Sequence, residues 1–165
     1  MPQIGNLTTK KLVNILAGDD GIAAVAAAMS AQQAVSLPPI LAQQIIGQNV
    51  AAEMSDKSLG SKYPLVYVYC TKVVNHLREK FRTFSGEAQM TVEARVSQDR
   101  LEDLETRVHS YVDAITLILD ARRGDWGDGV FYSGAYEIAF SGVKHGGSNF
   151  IQVAKVSFVL EISTD

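Results

Sequence analysis

Hydrophobic and polar residues alternate most cleanly near the end of the chain. Ala154, Val156, Phe158, Leu160 and Ile162 share one parity and Lys155, Ser157 and Glu161 the other, which predicts a strand with one face on a core. The preceding Lys144-His145-Gly146-Gly147-Ser148-Asn149 holds residues that tolerate the positive φ of a hairpin connection, so 135–162 reads as two strands around a turn. Residues 87–97 repeat the alternation, with Ala88, Met90, Val92, Ala94 and Val96 set against Glu87, Gln89, Thr91, Glu93, Arg95 and Ser97. Residues 63–74 differ. Leu65, Tyr67 and Tyr69 on one parity and Val66, Val68 and Cys70 on the other are all apolar or aromatic, the pattern of a strand covered on both faces.

Helical spacing appears elsewhere. Leu101, Leu104, Val108, Tyr111, Val112, Ile115, Ile118 and Leu119 follow the 3.6-residue period, with Ser97 or Asp99 as the predicted cap and Gly124 as terminator. Residues 8–17 and 19–33 predict two more helices broken at Gly18, and Pro38-Pro39 ends the second. Leu41, Ile45, Ile46, Val50 and Met54 suggest a further helix over 40–54, followed by a polar linker over 55–62.

The expected architecture is therefore α+β: a four-stranded antiparallel sheet in the order strand-strand-helix-strand-strand over 63–165, with a long helix on one face. An α-helical N-terminal segment, 1–62, precedes it. Two antiparallel arrangements are open, the third strand beside the first or the fourth beside the second. The doubly apolar first strand favours the order 2-1-3-4.

Composition narrows the function classes. The 165 residues suffice for one domain with its own core, and 47% hydrophobic with 20% charged residues describes an ordinary globular chain. A net charge of -3 argues against a dedicated nucleic-acid binder. With one cysteine, Cys70, and no secretory pattern the chain reads as cytosolic when made, and its longest apolar run, 21–29, is short of a membrane span.

Candidate chemistry is sparse. His76, His109 and His145 lack metal-ligand spacing to Cys70 or to one another, so no metal or cofactor is expected. Asp125-Trp126-Gly127-Asp128-Gly129 lacks the regular oxygen ligands and closing glutamate of an EF-hand and reads as a turn. The segment 76–86 holds more interest: a hairpin connection of about 11 residues, longer than the usual two to five, carrying Arg78, Lys80 and Arg82 among Phe81 and Phe84. A solvated loop with its aromatics in the core and a single-stranded nucleic-acid contact are the alternatives; a protein contact fits this composition best.

The strand Tyr63-Pro64-Leu65-Val66-Tyr67-Val68-Tyr69, the alternating Met90-Thr91-Val92-Glu93-Ala94-Arg95-Val96, the long helix after it and the closing Phe150-Ile151-Gln152-Val153-Ala154-Lys155-Val156-Ser157-Phe158 together resemble the tail-terminator (tail-completion) proteins of long-tailed bacteriophages and related phage-like particles. The resemblance covers residues 63–162 and rests on the pattern of elements. It implies a non-enzymatic virion protein at the head-proximal end of the tail, made in the host bacterial cytoplasm. Such a protein forms a ring, hexameric in the family, that caps the tail tube, stops its polymerisation and joins the head connector, with DNA only passing through the lumen and no membrane partner. Another neck or tube component, or a small α+β ligand-binding domain or enzyme, is the alternative. A closed ring needs two different complementary surfaces on each subunit. The candidates are the loop (Arg78, Lys80, Phe81, Arg82, Phe84), the polar parity of the second strand (Gln89, Thr91, Glu93, Arg95), and the turn (Lys144, His145, Gly146, Gly147, Asn149). The helix surface with Arg100, Arg107 and Asp113 is a further one.

Overall fold

The computed structural model describes residues 3–33, 36–50, 63–146 and 149–165. Helices α1 (Ile4–Ala17) and α2 (Ile22–Gln33) lead into a short 3-10 turn, Ala42–Gln44, and strand β1 (Ile45–Ile46). Then come β2 (Leu65–Asn75), β3 (Phe84–Gln98), α3 (Leu104–Ala121), β4 (Gly124–Gly127), β5 (Val130–Phe140), β6 (Lys144–Gly146) and β7 (Asn149–Thr164). The strands form one curled seven-stranded sheet in the order β1-β2-β3-β7-β5-β4, with β6 paired to the start of β7. Every pairing is antiparallel except β1 with β2, which makes the sheet mixed.

This overturns the expected four-stranded antiparallel sheet with one long helix. The long strand β7 lies beside β3 over its whole length, Phe84↔Thr164 to Gln98↔Phe150, so the spatial order of the four expected strands is 1-2-4-3. The reason is physical: apolar residues on both parities of β2 report that both of its faces are covered, and face burial carries no information about which strands flank its edges. Val66 and Val68 pack in the main core, Leu65, Tyr67 and Tyr69 in a second cluster under Ile46, Val50 and Tyr63, while β1 takes the free edge.

Three of the expected element boundaries also move. Where a helix was predicted over 40–54, Ala42–Gln44 form the 3-10 turn and Ile45–Ile46 form β1, while 51–54 lie outside the described residues. Helix α3 begins at Leu104, with Asp103 in a left-handed conformation (φ 64°) at its cap position and no capping side chain, so neither Ser97 nor Asp99 caps it. The segment from Asp125 to Gly129 is more than a turn: β4 and β5 form a hairpin whose Asp128-Gly129 corner has φ of 55° and 77°. A Cβ on Gly129 would sit 2.0 Å from the Ser163 carbonyl oxygen, so glycine is required there twice over.

The helices share one core with one face of the sheet. Leu12 and Leu16 of α1, Ile22 and Ala26 of α2 and Val108, Val112 and Ile115 of α3 meet the even-numbered residues of β3 and β7, from Ala88 to Val96 and from Ala154 to Ile162. Residues 4–32 are apolar enough in composition and length for a membrane span, but the chain turns between Ala17 and Ile22 and both helices bury their apolar sides in this core. Lys11 ties α1 to the β4–β5 corner through Asp128, at 2.7 Å, and through the Trp126 carbonyl. Trp126 in turn packs against Tyr132 and Phe158.

Candidate assembly surface

The opposite face of the sheet is built from the odd-numbered residues of β3 and β7; on β3 it is polar, and on β7 Lys155, Ser157, Glu161 and Ser163 share it with Ile151, Val153 and Val159. At one end it is closed. Arg95 and Glu93 are buried and joined, with Nη2 and Nε of Arg95 at 2.6 and 3.1 Å from Glu93 Oε2. The Arg95 guanidinium lies 4.0 Å from the centre of the Tyr67 ring and donates to the Val50 carbonyl, while Lys155 approaches the other Glu93 oxygen at 3.6 Å. Burial, reinforced by the Glu93 carboxylate, holds the Tyr69 phenol above its ordinary range. Glu93 and Arg95 are therefore a buried paired cluster instead of the free contact surface expected of them; the charge-assisted bonds recover part of the pair's desolvation cost.

In the middle the face is open. A cleft of about 520 Å³ runs between β3, β7 and β5, lined by Thr71, Gln89, Thr91, Ser133, Glu137 and Ser157 among others. Its floor is hydroxyl-rich: Thr91 and Ser157 face each other at 3.4 Å across the β3–β7 ladder. The pairing of β5 with β7 is irregular between Tyr132 and Tyr136, and this break sets Ser133 and Ala135 on the wall. Glu137 is the sole charged side chain among the described residues that line it.

Beyond the cleft the β2–β3 hairpin projects as the loop 76–83. Its base is heavily braced. The Asn75 side-chain oxygen accepts from the backbone N–H groups of Leu77 and Ser85, and the Ser85 hydroxyl accepts from the Glu79 N–H. Arg82 pairs with Asp165 at 2.7 Å and with Glu79 at 3.5 Å, and Glu79 also accepts from Ser163, which ties the loop to the end of β7. Arg78 faces Glu87 at 3.9 Å. Out of this frame Phe81 and Leu77 point into solvent, 100% and 66% exposed, both with positive φ (71° and 50°). A left-handed non-glycine residue is uncommon, and two in one short loop mark a tip held in a particular shape.

The predicted site residues thus divide. Arg78, Lys80, Phe81 and Arg82 share the projecting loop, although Arg78 and Arg82 have acidic neighbours. Phe84 is 2% exposed and belongs to the core, because β3 starts three residues earlier than the alternation suggested and Phe84 shares the parity of Ala88 and Met90. Gln89 and Thr91 line the cleft. Lys144 and His145 lie on β6, where His145 meets Phe150 edge-on and Gly146 pairs with Asn149; Gly147 lies outside the described residues. On the helix side Arg100 and Asp113 are exposed, whereas Arg107 is half-buried and donates to Gln98. Sequence reasoning missed Leu77, Ser133, Glu137 and Ser157. Leu77 sat within the quoted loop, an apolar residue flanked by charges; the three cleft residues depend on the β5–β7 pairing and left no local signal.

Among the described residues no group of three or more His, Cys, Asp or Glu side chains is placed to hold a metal ion. The one cysteine, Cys70, is half-buried, and burial pushes its thiol above the ordinary range. Compared with protein-family models and with curated proteins, the chain matches none.

Proposed function

We propose that this chain is a structural subunit of a ring at the head-proximal end of a phage-type tail, a tail terminator that caps the tail tube and joins it to the head connector. In this reading it works in the virion after synthesis in the host cytoplasm, and it is not an enzyme. The observation that carries the assembly part of the reading is the braced loop 76–83, which spends ion pairs and backbone strain to hold two large apolar side chains in water. An isolated monomer gains nothing from a fully exposed phenylalanine in a fixed pose, whereas a preorganised aromatic anchor strengthens an interface. The tail-terminator assignment within that class rests on the sequence resemblance of 63–162 alone. An acidic chain with a net charge of -3 suits a ring through which DNA passes without being held.

The hydroxyl-lined cleft favours a second reading, a small ligand-binding domain. Light scattering after size-exclusion chromatography, followed by negative-stain imaging with and without tail tubes, separates them. Closed rings in solution or at tube ends are the expected result. Open filaments would favour a tube protein, and a monomer indifferent to tubes would rule out the assembly reading.

A further inference from the structure

We infer that the two halves of the subunit interface are the loop tip and the cleft: Phe81 and Lys80 of one copy seat in the cleft between β3, β7 and β5 of a second copy of this chain. The inference rests on the ring reading above and deepens it by naming the surfaces that meet. Three observations carry it. First, shape: the tip is a single fully exposed aromatic ring on a fixed backbone, and a cleft of about 520 Å³ has ample room for a phenyl group and the stem of the adjacent lysine. Second, charge: Lys80 is exposed beside Phe81, whereas Glu137 is the charged residue among the described lining of the cleft, so the knob is positive where the hole is negative. The other loop cations are already near acidic groups of their own copy, Arg82 to Asp165 and Arg78 to Glu87, which leaves Lys80 as the charge the tip offers outward.

Third, arrangement. The tip lies beyond the Asn75↔Gly86 end of the β2–β3 ladder, while the cleft sits across the centre of the sheet at Gln89, Thr91 and Ser157. Phe81 is wholly exposed, so it does not occupy the cleft of its own chain. A knob and a hole on different surfaces of one molecule form a head-to-tail contact, the kind that closes into a ring when the rotation per subunit divides a full turn. Hydroxyls from Thr91, Ser133 and Ser157 would surround the ring edge, and Glu137 would meet the ammonium of Lys80.

Disulfide trapping in the intact chain tests this directly. In a Cys70→Ala background, Phe81→Cys and Ala135→Cys are made singly and together, Ala135 being an exposed residue of the cleft wall. An oxidised mixture of the two single variants should give a covalent dimer that neither gives alone, and the double variant a ladder of higher multimers. Independently, Lys80→Glu should weaken self-association at least tenfold, and Glu137→Lys in the same chain should restore it. Rings from the wild type with no mixed disulfide and no charge-swap rescue would overturn the pairing while leaving the ring reading intact. A mixed disulfide whose ladders stay open would keep the pairing and overturn the ring. A chain that neither associates nor cross-links would overturn both.

Discussion

Removing the buried Arg95 guanidinium is the most demanding test of how the polar face is built. Arg95→Ala leaves Glu93, 5% exposed, without its two short charge-assisted hydrogen bonds and with only Lys155, at 3.6 Å and half in solvent, to balance it. Breaking one partner of a buried ion pair costs about 3–5 kcal/mol. Lys155 offsets part of that, whereas loss of the stacking on Tyr67 and of the donor to the Val50 carbonyl adds to it, so a cost of about 3–4 kcal/mol is expected. The paired replacement Glu93→Leu with Arg95→Met removes both charges together. It should cost less than about 2 kcal/mol, because an apolar pair of similar volume escapes the desolvation penalty. The assay is equilibrium urea unfolding, followed by fluorescence of Trp126, the one tryptophan, and by circular dichroism at a single protein concentration. The reasoning is refuted if Arg95→Ala costs below about 1 kcal/mol, or if the double replacement costs as much as Glu93→Leu and Arg95→Met, each measured singly, added together, since coupled neighbours depart from additivity.

Three further outcomes follow from the core. Burial raises the Tyr132 phenol to about 12 from an ordinary 10.0 and the Tyr111 and Tyr69 phenols as well, so the folded state binds protons that the unfolded state releases first; stability falls above pH 10, with Tyr132 contributing about 1.4 kcal/mol per pH unit of that fall between 10 and 12. Urea unfolding at pH 9, 10 and 11 should show stability level up to about pH 10 and falling beyond it, and Tyr132→Phe should make that fall shallower while Tyr111 and Tyr69 keep their share. Tyr111→Phe deletes the hydroxyl that donates to the Pro38 carbonyl and should cost about 1–2 kcal/mol in the same assay, with no change in oligomeric mass. Because burial pushes the Cys70 thiol up, the folded protein should react with a disulfide reagent at pH 8 more slowly than the urea-unfolded chain does; equal rates would contradict its placement beside α1.

The alternating strands were legible because the period-2 signal is local: Met90, Val92 and Ala94 on β3 and Val156, Phe158 and Leu160 on β7 face the core as their parity requires. So was α3, whose apolar stripe is buried from Leu104 to Leu119. The sheet order was not legible, because adjacency depends on edges and the hydrophobic pattern reports only faces. Three short strands escaped for a different reason, β6 because its glycine-rich sequence reads as a turn. Ile45 and Ile46 form too brief an element to show a period, and β4 is Gly-Asp-Trp-Gly, whose pairing is set by the Asp128-Gly129 corner. For the candidate surface, the composition of the loop singled out Phe81, and the backbone then showed that its exposure is held in place. Glu93 and Arg95 read as surface charges because a polar parity normally faces water; here Tyr67, Val50 and Lys155 enclose them.

Self-assembly through the loop tip is the central claim, and the mass of the particle in solution tests it most directly. Light scattering across micromolar to near-millimolar concentrations, alone and with tail tubes, should give the wild type a single closed mass in solution, a whole multiple of the 17.9 kDa subunit, or closed rings at the tube ends. Phe81→Ser, at a fully exposed position outside the core, should run as a folded monomer with the wild-type circular dichroism and a cooperative urea transition. A wild type that stays monomeric throughout and forms no ring at tail-tube ends either, or a Phe81→Ser variant that assembles as the wild type does, would contradict the account.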